Sequence, residues 1–332
     1  MVYVYKKTIA GKPYYYLRVS ERKGKKVIAK DIAYLGNSIQ EVKTALENLS
    51  SHKEKIRKAY RTIHRFLESN HYLEKIKKEK LKSDPYLGDA LTEIESSKLH
   101  FTSAFRKLPT ETQQEIWKNF IIEFSFNTAS IEGNTITLKQ ARDLLEEGKT
   151  PKDKTLREIH DLQNSEKVFF GLLRDEKQLS HDLIIQIHSG LMDNIDKRTG
   201  YRNDDVRVIK ASFKSTPAPY VKADMDILLR WYREHETKLH PLALAALFHH
   251  KFEKIHPFMD GNGRTGRMLL NHILLAREYP PVIIHRKFRT EYLDALQKAD
   301  KSPLTKFSVE EYGTLIHFIT DEMVQHYWSI FL

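Results

Sequence analysis

The 332-residue sequence contains no cysteine, so disulfide frameworks and thiolate chemistry are excluded, and a cytoplasmic location is the default expectation. It also lacks any run of about 18 apolar residues of the kind that crosses a membrane. The first residues, Met-Val-Tyr-Val-Tyr-Lys-Lys, lack the apolar centre of a signal peptide. No internal repeat or low-complexity segment interrupts the chain. What remains is a globular composition, 40% hydrophobic and 30% charged, with a length that suggests about two domains.

The net charge of +11 is unevenly placed. Residues 1–100 carry 22 Lys or Arg against 12 Asp or Glu, and the rest of the chain is nearly balanced. Such a region suits nucleic acid or an acidic partner, and equally describes a solvated lysine-rich surface.

The first 37 residues read as a small basic β-meander. Val2–Ile9, Tyr14–Ser20 and Lys26–Leu35 are rich in Tyr, Val and Ile, and turns at residues 10–13 and 22–25 separate them. Helix then dominates. A helical connecting region, 38–100, opens with the capping pair Ser38 and Glu41. Residues 101–332 form the main domain, with helical spacing over 108–126, 154–173, 180–192, 221–236, 241–255, 264–276, 290–299 and 308–331. Residues 200–220 carry Val206-Arg-Val-Ile209 and then Ser215-Thr-Pro-Ala-Pro219, which predicts a short β-hairpin. The expected fold is mainly α, with this hairpin and the N-terminal meander.

One stretch carries chemistry: His256-Pro-Phe-Met-Asp-Gly-Asn-Gly-Arg-Thr-Gly-Arg267. Glycines 261 and 263 permit close backbone approach, and a glycine loop feeding a helix start aims several N–H groups at one point. Arg264 and Arg267 are three residues apart, so they share a helix face above that anion site. Asp260 beside the loop is poor for bare phosphate but sensible as a Mg²⁺ ligand. His256 is a natural base for a hydroxyl attacking phosphorus. Spacing among His249, His250 and His256 fits no common zinc pattern.

The stretch is similar, at every fixed position, to the signature HPFx(D/E)GNGRxxR of the Fic (Fido) family. The resemblance covers roughly residues 100–320. It implies a Fic-type helical core and a protein adenylyltransferase that moves AMP from ATP onto a Ser, Thr or Tyr hydroxyl of a target protein, or of itself. By that resemblance His256 is the base, Phe258 a buried anchor for the loop and Asp260 the Mg²⁺ ligand. Gly261, Asn262, Gly263, Arg264, Thr265, Gly266 and Arg267 face the ATP phosphates. The hairpin is the family's flap, bringing Val208, Ile209, Lys210 and Ala211 to the nucleotide. Tyr292 and Asp300 take positions near the adenine, although relatives often carry Asn where this chain has Asp300. His188 on an apolar helix face reads as a core histidine.

Thr128-Ala-Ser-Ile-Glu132-Gly-Asn134 resembles the family's inhibitory motif, (S/T)xxxE(G/N), on a helix near 121–133. The resemblance implies that Glu132, with Thr128 and Gly133, pairs with Arg267 and blocks the γ-phosphate. Two alternatives stay open: a hydrolase that removes AMP through Glu132, and a DNA- or partner-binding regulator acting through the basic N-terminal region. The resemblance also allows a homodimer; no membrane association is expected.

Overall fold

The computed structural model describes residues 1–332 except 25, 175–176 and 207–213. The described chain is mainly helical, with one small sheet, and it divides into two compact units, Met1–Leu81 and Lys82–Phe331. The division falls inside the segment 38–100.

In the first unit, β1 (Val2–Ile9), β2 (Lys12–Lys23) and β3 (Lys26–Gly36) form an antiparallel sheet in the order β1-β2-β3. Register runs from Val2 opposite Val19 to Ile9 opposite Lys12 across the first pair. Alternation buries Val2, Val4, Tyr15 and Leu17 on one face. A three-stranded sheet needs a partner, and helices α1 (Ile39–Asn48) and α3 (Tyr60–Lys77), with the short α2 (Lys53–Lys58) between them, supply it. Ile39, Val42, Ile63 and Leu67 close that core. The Ser38 side chain caps α1 by accepting from the Glu41 N–H, and Glu41 accepts in return from the Asn37 N–H.

The second unit holds α4 (Leu91–Ser103), α5 (Thr110–Ile131), α6 (Leu138–Glu147), α7 (Leu156–Arg174), α8 (His181–Leu191), α9 (Val221–His235), α10 (Pro241–Ile255), α11 (Asn262–Ala276), α12 (Arg289–Ala299) and α13 (Val309–Ile330). Helix α10 is apolar nearly all round, Leu242 to Phe252 being buried without interruption, so it occupies the centre. It packs against α9, α11 and α13. Among the described residues no helix is long and apolar enough to cross a membrane.

Periodicity places most of these helices within a few residues of their ends. It misses α4 and α6. The hairpin expected over 200–220 depends on residues 207–213, which lie outside the described residues.

Candidate active site

Helices α10 and α11 meet at a tight corner, where the candidate site residues from His256 to Arg267 gather. His256 caps α10 in the left-handed conformation, φ 54° and ψ 59°, which a side chain other than glycine adopts at a cost of about 1 kcal/mol or more. Buried Arg202 holds it there: its Nε donates to the His256 carbonyl at 2.8 Å, and its backbone N–H donates to the Pro257 carbonyl at 2.9 Å. His256 Nδ1 lies 3.3 Å from the Glu253 carbonyl. With the ring proton on that side, Nε2 keeps its lone pair. Burial lowers the His256 imidazole from its ordinary value, so it is neutral near pH 7.

Phe258 is fully buried and stacks on His188, ring centroids 3.6 Å apart and nearly parallel. His188 is pushed down to about 4 by burial, and this neutral ring bonds the Asp260 carbonyl through Nε2 at 3.0 Å. It is a core histidine that shapes the loop.

Asn262 opens α11. Its side-chain amide is spent on the loop, accepting from the Phe258 N–H at 2.9 Å and donating to the Phe258 carbonyl at 2.8 Å. What Asn262 offers a ligand is its backbone N–H. The N–H groups of Asn262, Gly263 and Arg264 precede the first intrahelical bond, from Thr265 N to Gly261 O at 3.0 Å. The buried Thr265 hydroxyl also bonds Gly261 O, so it stiffens the turn. Gly261 has φ +77°, and a Cβ there would lie 2.6 Å from Met192 Sδ. At Gly266 a Cβ would meet Glu253 Oε1 and His249 Nδ1.

The two arginines share a helix face yet separate. Three residues turn the helix by roughly 300°, and the remaining angle of about 60° sends each guanidinium to a different neighbour. Arg264 reaches α7 and pairs with Asp161, with Met192 Sδ and Asp260 also near. Burial lifts the Asp161 carboxyl even though the Arg264 charge pulls the other way. Arg264 is therefore engaged by protein, not open above the turn as its spacing suggested. Asp260 is likewise paired, with Arg157 of α7, and its Oδ1 accepts the Gly261 N–H at 2.6 Å. Burial opposes its ionisation, but Arg157, Arg264 and the Gly261 N–H together hold the carboxyl below its ordinary value.

Arg267 reaches α5. It is 3% exposed, donating from Nε to Thr128 Oγ1 at 2.8 Å and from one terminal nitrogen to the Thr128 carbonyl at 3.0 Å and to Glu132 Oε1 at 2.7 Å. Burial works against its charge, yet Glu132 holds the guanidinium above its ordinary range. Glu132 caps α5, with its side chain 42% exposed, and Gly133 follows at φ +102°. The Glu132 carboxylate also overhangs the start of α11: a Cβ on Gly263 would stand 2.2 Å from Glu132 Oε1.

Beneath Arg267 lies a second carboxyl. Glu253 is partly buried, its Oε1 shielded from solvent beside His249, with Oε1 and Nδ1 3.9 Å apart. Burial raises Glu253 to about 8, against the pull of Arg267, and lowers His249 to about 3. Both are neutral at pH 7.

Two expected adenine neighbours have other partners. Tyr292 is 1% exposed, packed with Ile131 and Ile284, its hydroxyl 2.5 Å from His249 Nε2. It forms part of the floor under Arg267 and presents no open ring face. Asp300 is buried against His250 Nε2 at 3.1 Å. Val208, Ile209, Lys210 and Ala211 lie outside the described residues. Arg157, Asp161 and Glu253 were not singled out from the sequence, and Arg202 stood out only as part of Gly200-Tyr-Arg202 at the start of the expected flap. The only available signal was spacing: Arg157 and Asp161 fall four apart on one helix, as do His249 and Glu253.

The Fic/DOC family matches residues 178–274. Protein adenylyltransferase fic-1 of Caenorhabditis elegans is 31% identical over 219 residues, which is 64% of this chain and 42% of that protein. Protein adenylyltransferase Fic of Drosophila ananassae is 32% identical over 200 residues, 57% of this chain and 39% of that one. The chain thus spans about two fifths of the length of these curated relatives. A Fic domain containing signaling protein from Bacteroides thetaiotaomicron shares the fold with a TM-score of 0.65 at 24% identity, covering 71% of this chain and 95% of that chain. A Fic family protein from Desulfovibrio desulfuricans G20 gives a TM-score of 0.60 at 26% identity, covering 74% and 75%.

Proposed function

With residues 178–274 a Fic/DOC-family domain, we propose that the chain is a protein adenylyltransferase, transferring AMP from ATP to a hydroxyl side chain of a protein and resting in an inhibited state. The observation that carries this reading is the contact of Glu132 with Arg267 at 2.7 Å, over the start of α11. A carboxylate there competes with phosphate for one guanidinium and for the same helix N-terminus.

In the released state the N–H groups of residues 262–264 receive the ATP phosphates, and Arg267 turns from Glu132 to the far end of the triphosphate. His256 Nε2 takes the proton from the attacking hydroxyl. The hydroxyl oxygen bonds the α-phosphorus as the bond from that phosphorus to the bridging oxygen breaks, and pyrophosphate leaves. The imidazolium then returns its proton to solvent. Positioning and fixed charge supply most of the rate.

The donor set fits Mg²⁺, because one ionised carboxylate, Asp260, at a phosphate-binding turn suits an ion that keeps water and phosphate oxygens as its other ligands. Bound there, the ion would neutralise charge on the polyphosphate, and Asp260, which pairs with Arg157, is the residue that would hold it.

A second reading is the reverse hydrolysis. It draws on the Glu132 carboxylate being among the charges that act on the His256 imidazole. A modified protein would lose AMP with the wild type and keep it with Glu132→Gly.

The test of transfer is peptide mass spectrometry after incubation with ATP and Mg²⁺. Glu132→Gly is expected to carry AMP on a hydroxyl side chain, its own or that of an added lysate protein, and the adduct should vanish with Glu132→Gly/His256→Ala. No adduct on any protein in either case would sink the proposal.

A further inference from the structure

Among the described residues a second group of metal-ligating side chains converges away from the loop: His285, Glu322 and His326, whose ligand atoms all lie within 4.8 Å of one another. Glu322 and His326 are one turn apart on α13 and share its face. His285 comes from the segment after α11, where Val282, Ile283 and Ile284 are buried and fix the backbone.

The Glu322 side chain is 3% exposed. Its Oε2 accepts the His285 backbone N–H at 3.2 Å, bonds His285 Nδ1, and lies 3.8 Å from His326 Nδ1. His326 Nδ1 is also 3.0 Å from the Glu322 carbonyl. The imidazole rings face each other with centroids 4.0 Å apart. A buried carboxylate demands a compensating cation. Two protonated imidazoles at that separation would repel each other. One divalent ion shared by all three groups satisfies the carboxylate and keeps both rings neutral.

We propose that His285, Glu322 and His326 form a binding site for a divalent transition-metal ion of the zinc class. Two imidazoles and one carboxylate are the donor set such borderline ions prefer over Mg²⁺ or Ca²⁺. Both histidines keep some exposure, which leaves room for a water as further ligand. The ion ties the segment around His285 to α13. That segment also grips the end of α5: Arg286 N–H donates to Asn127 Oδ1 at 2.9 Å, and Arg289 Nε donates to the Ile131 carbonyl at 2.8 Å. The site thus stands behind the helix that carries Thr128 and Glu132.

The test is calorimetric titration of the untagged, chelator-treated full chain with zinc chloride, with cobalt(II) absorption as a second probe. One saturable equivalent is expected in the wild type. It should be lost in His326→Ala and in Glu322→Gln, and retained when half-buried His52 is changed to alanine. Zinc at a hundredfold excess over its Kd should raise the wild-type unfolding midpoint by roughly 4 °C and leave His326→Ala unmoved. Because Glu322 is buried, Glu322→Gln is checked for folding by circular dichroism; the better exposed His326 supplies an independent variant. Absence of a saturable equivalent in the wild type, or equal binding by a folded His285→Ala/His326→Ala protein, overturns the proposal and leaves a hydrogen-bonded triad only. Neither readout depends on adenylyl transfer.

Discussion

The Glu253 carboxyl holds its proton against a neighbouring guanidinium. It packs against His249 under Arg267 with Oε1 buried, and desolvation raises it to about 8. The folded state keeps its proton where the unfolded chain, with an ordinary glutamate value, releases it. Its contribution to stability is therefore fully present below the ordinary glutamate range and is lost as pH rises through 8. Urea unfolding from about pH 5 to about pH 9 should show the wild type losing on the order of a few kcal/mol relative to Glu253→Gln. Parallel curves for the two proteins would refute the burial argument. His256 shifts the other way, downward. As a base it must be neutral, so transfer by Glu132→Gly should hold level from about pH 7 to about pH 8 and fall only below the ordinary histidine value, near 6.5. A pH–rate profile with its acid limb above that value contradicts the assignment. The motif from His256 to Arg267 was legible in the sequence because its glycines, charges and histidine are consecutive. The partners Arg157 and Asp161 were not, because they arrive on α7 from about 100 residues upstream and only the packed helices reveal them.

The end of α5 is tied to α7 through the turn that follows it. Gly133 reverses the chain, and the Asn134 side chain then donates to the Glu158 carbonyl at 2.9 Å and to Asp161 at 3.4 Å. Asp161 in turn holds Arg264, so the turn below Glu132 and the turn above the anion site share α7. Replacing Asn134 with alanine leaves buried groups unsatisfied and should cost about 1–3 kcal/mol in urea unfolding. A loss under about 0.5 kcal/mol, the usual range for surface positions, would show that the bridge is idle. The helices that periodicity found have apolar stripes. Two were missed for separate reasons. Helix α6 has clear punctuation, a Thr137–Gln140 capping box and Gly148 at φ +68°, but only ten residues between. Helix α4 has no side-chain cap, and two of its buried positions are Ser96 and Ser97, so its inner face does not read as apolar.

The whole molecule is two compact units, and the charge divides with them. Met1–Leu81 holds 20 Lys or Arg against 8 Asp or Glu, which narrows the basic region read from the sequence to the first unit. Each unit has its own core. Residues 77–83 are exposed and carry Lys78, Lys80 and Lys82. Limited trypsin digestion should therefore cut there first and release a fragment beginning near residue 82 that keeps its helical circular dichroism. Early cuts inside α10 or α11 would contradict the independence of the second core. In the proposed resting state of the full chain, Arg267 belongs to Glu132 until something removes it. The initial rate of label transfer from α-labelled ATP, at saturating ATP and Mg²⁺, reads out that pairing. Glu132→Gly should exceed the wild type by at least about tenfold, the equivalent of roughly 1.4 kcal/mol for one charged contact released. Equal rates from two folded proteins would contradict the claim.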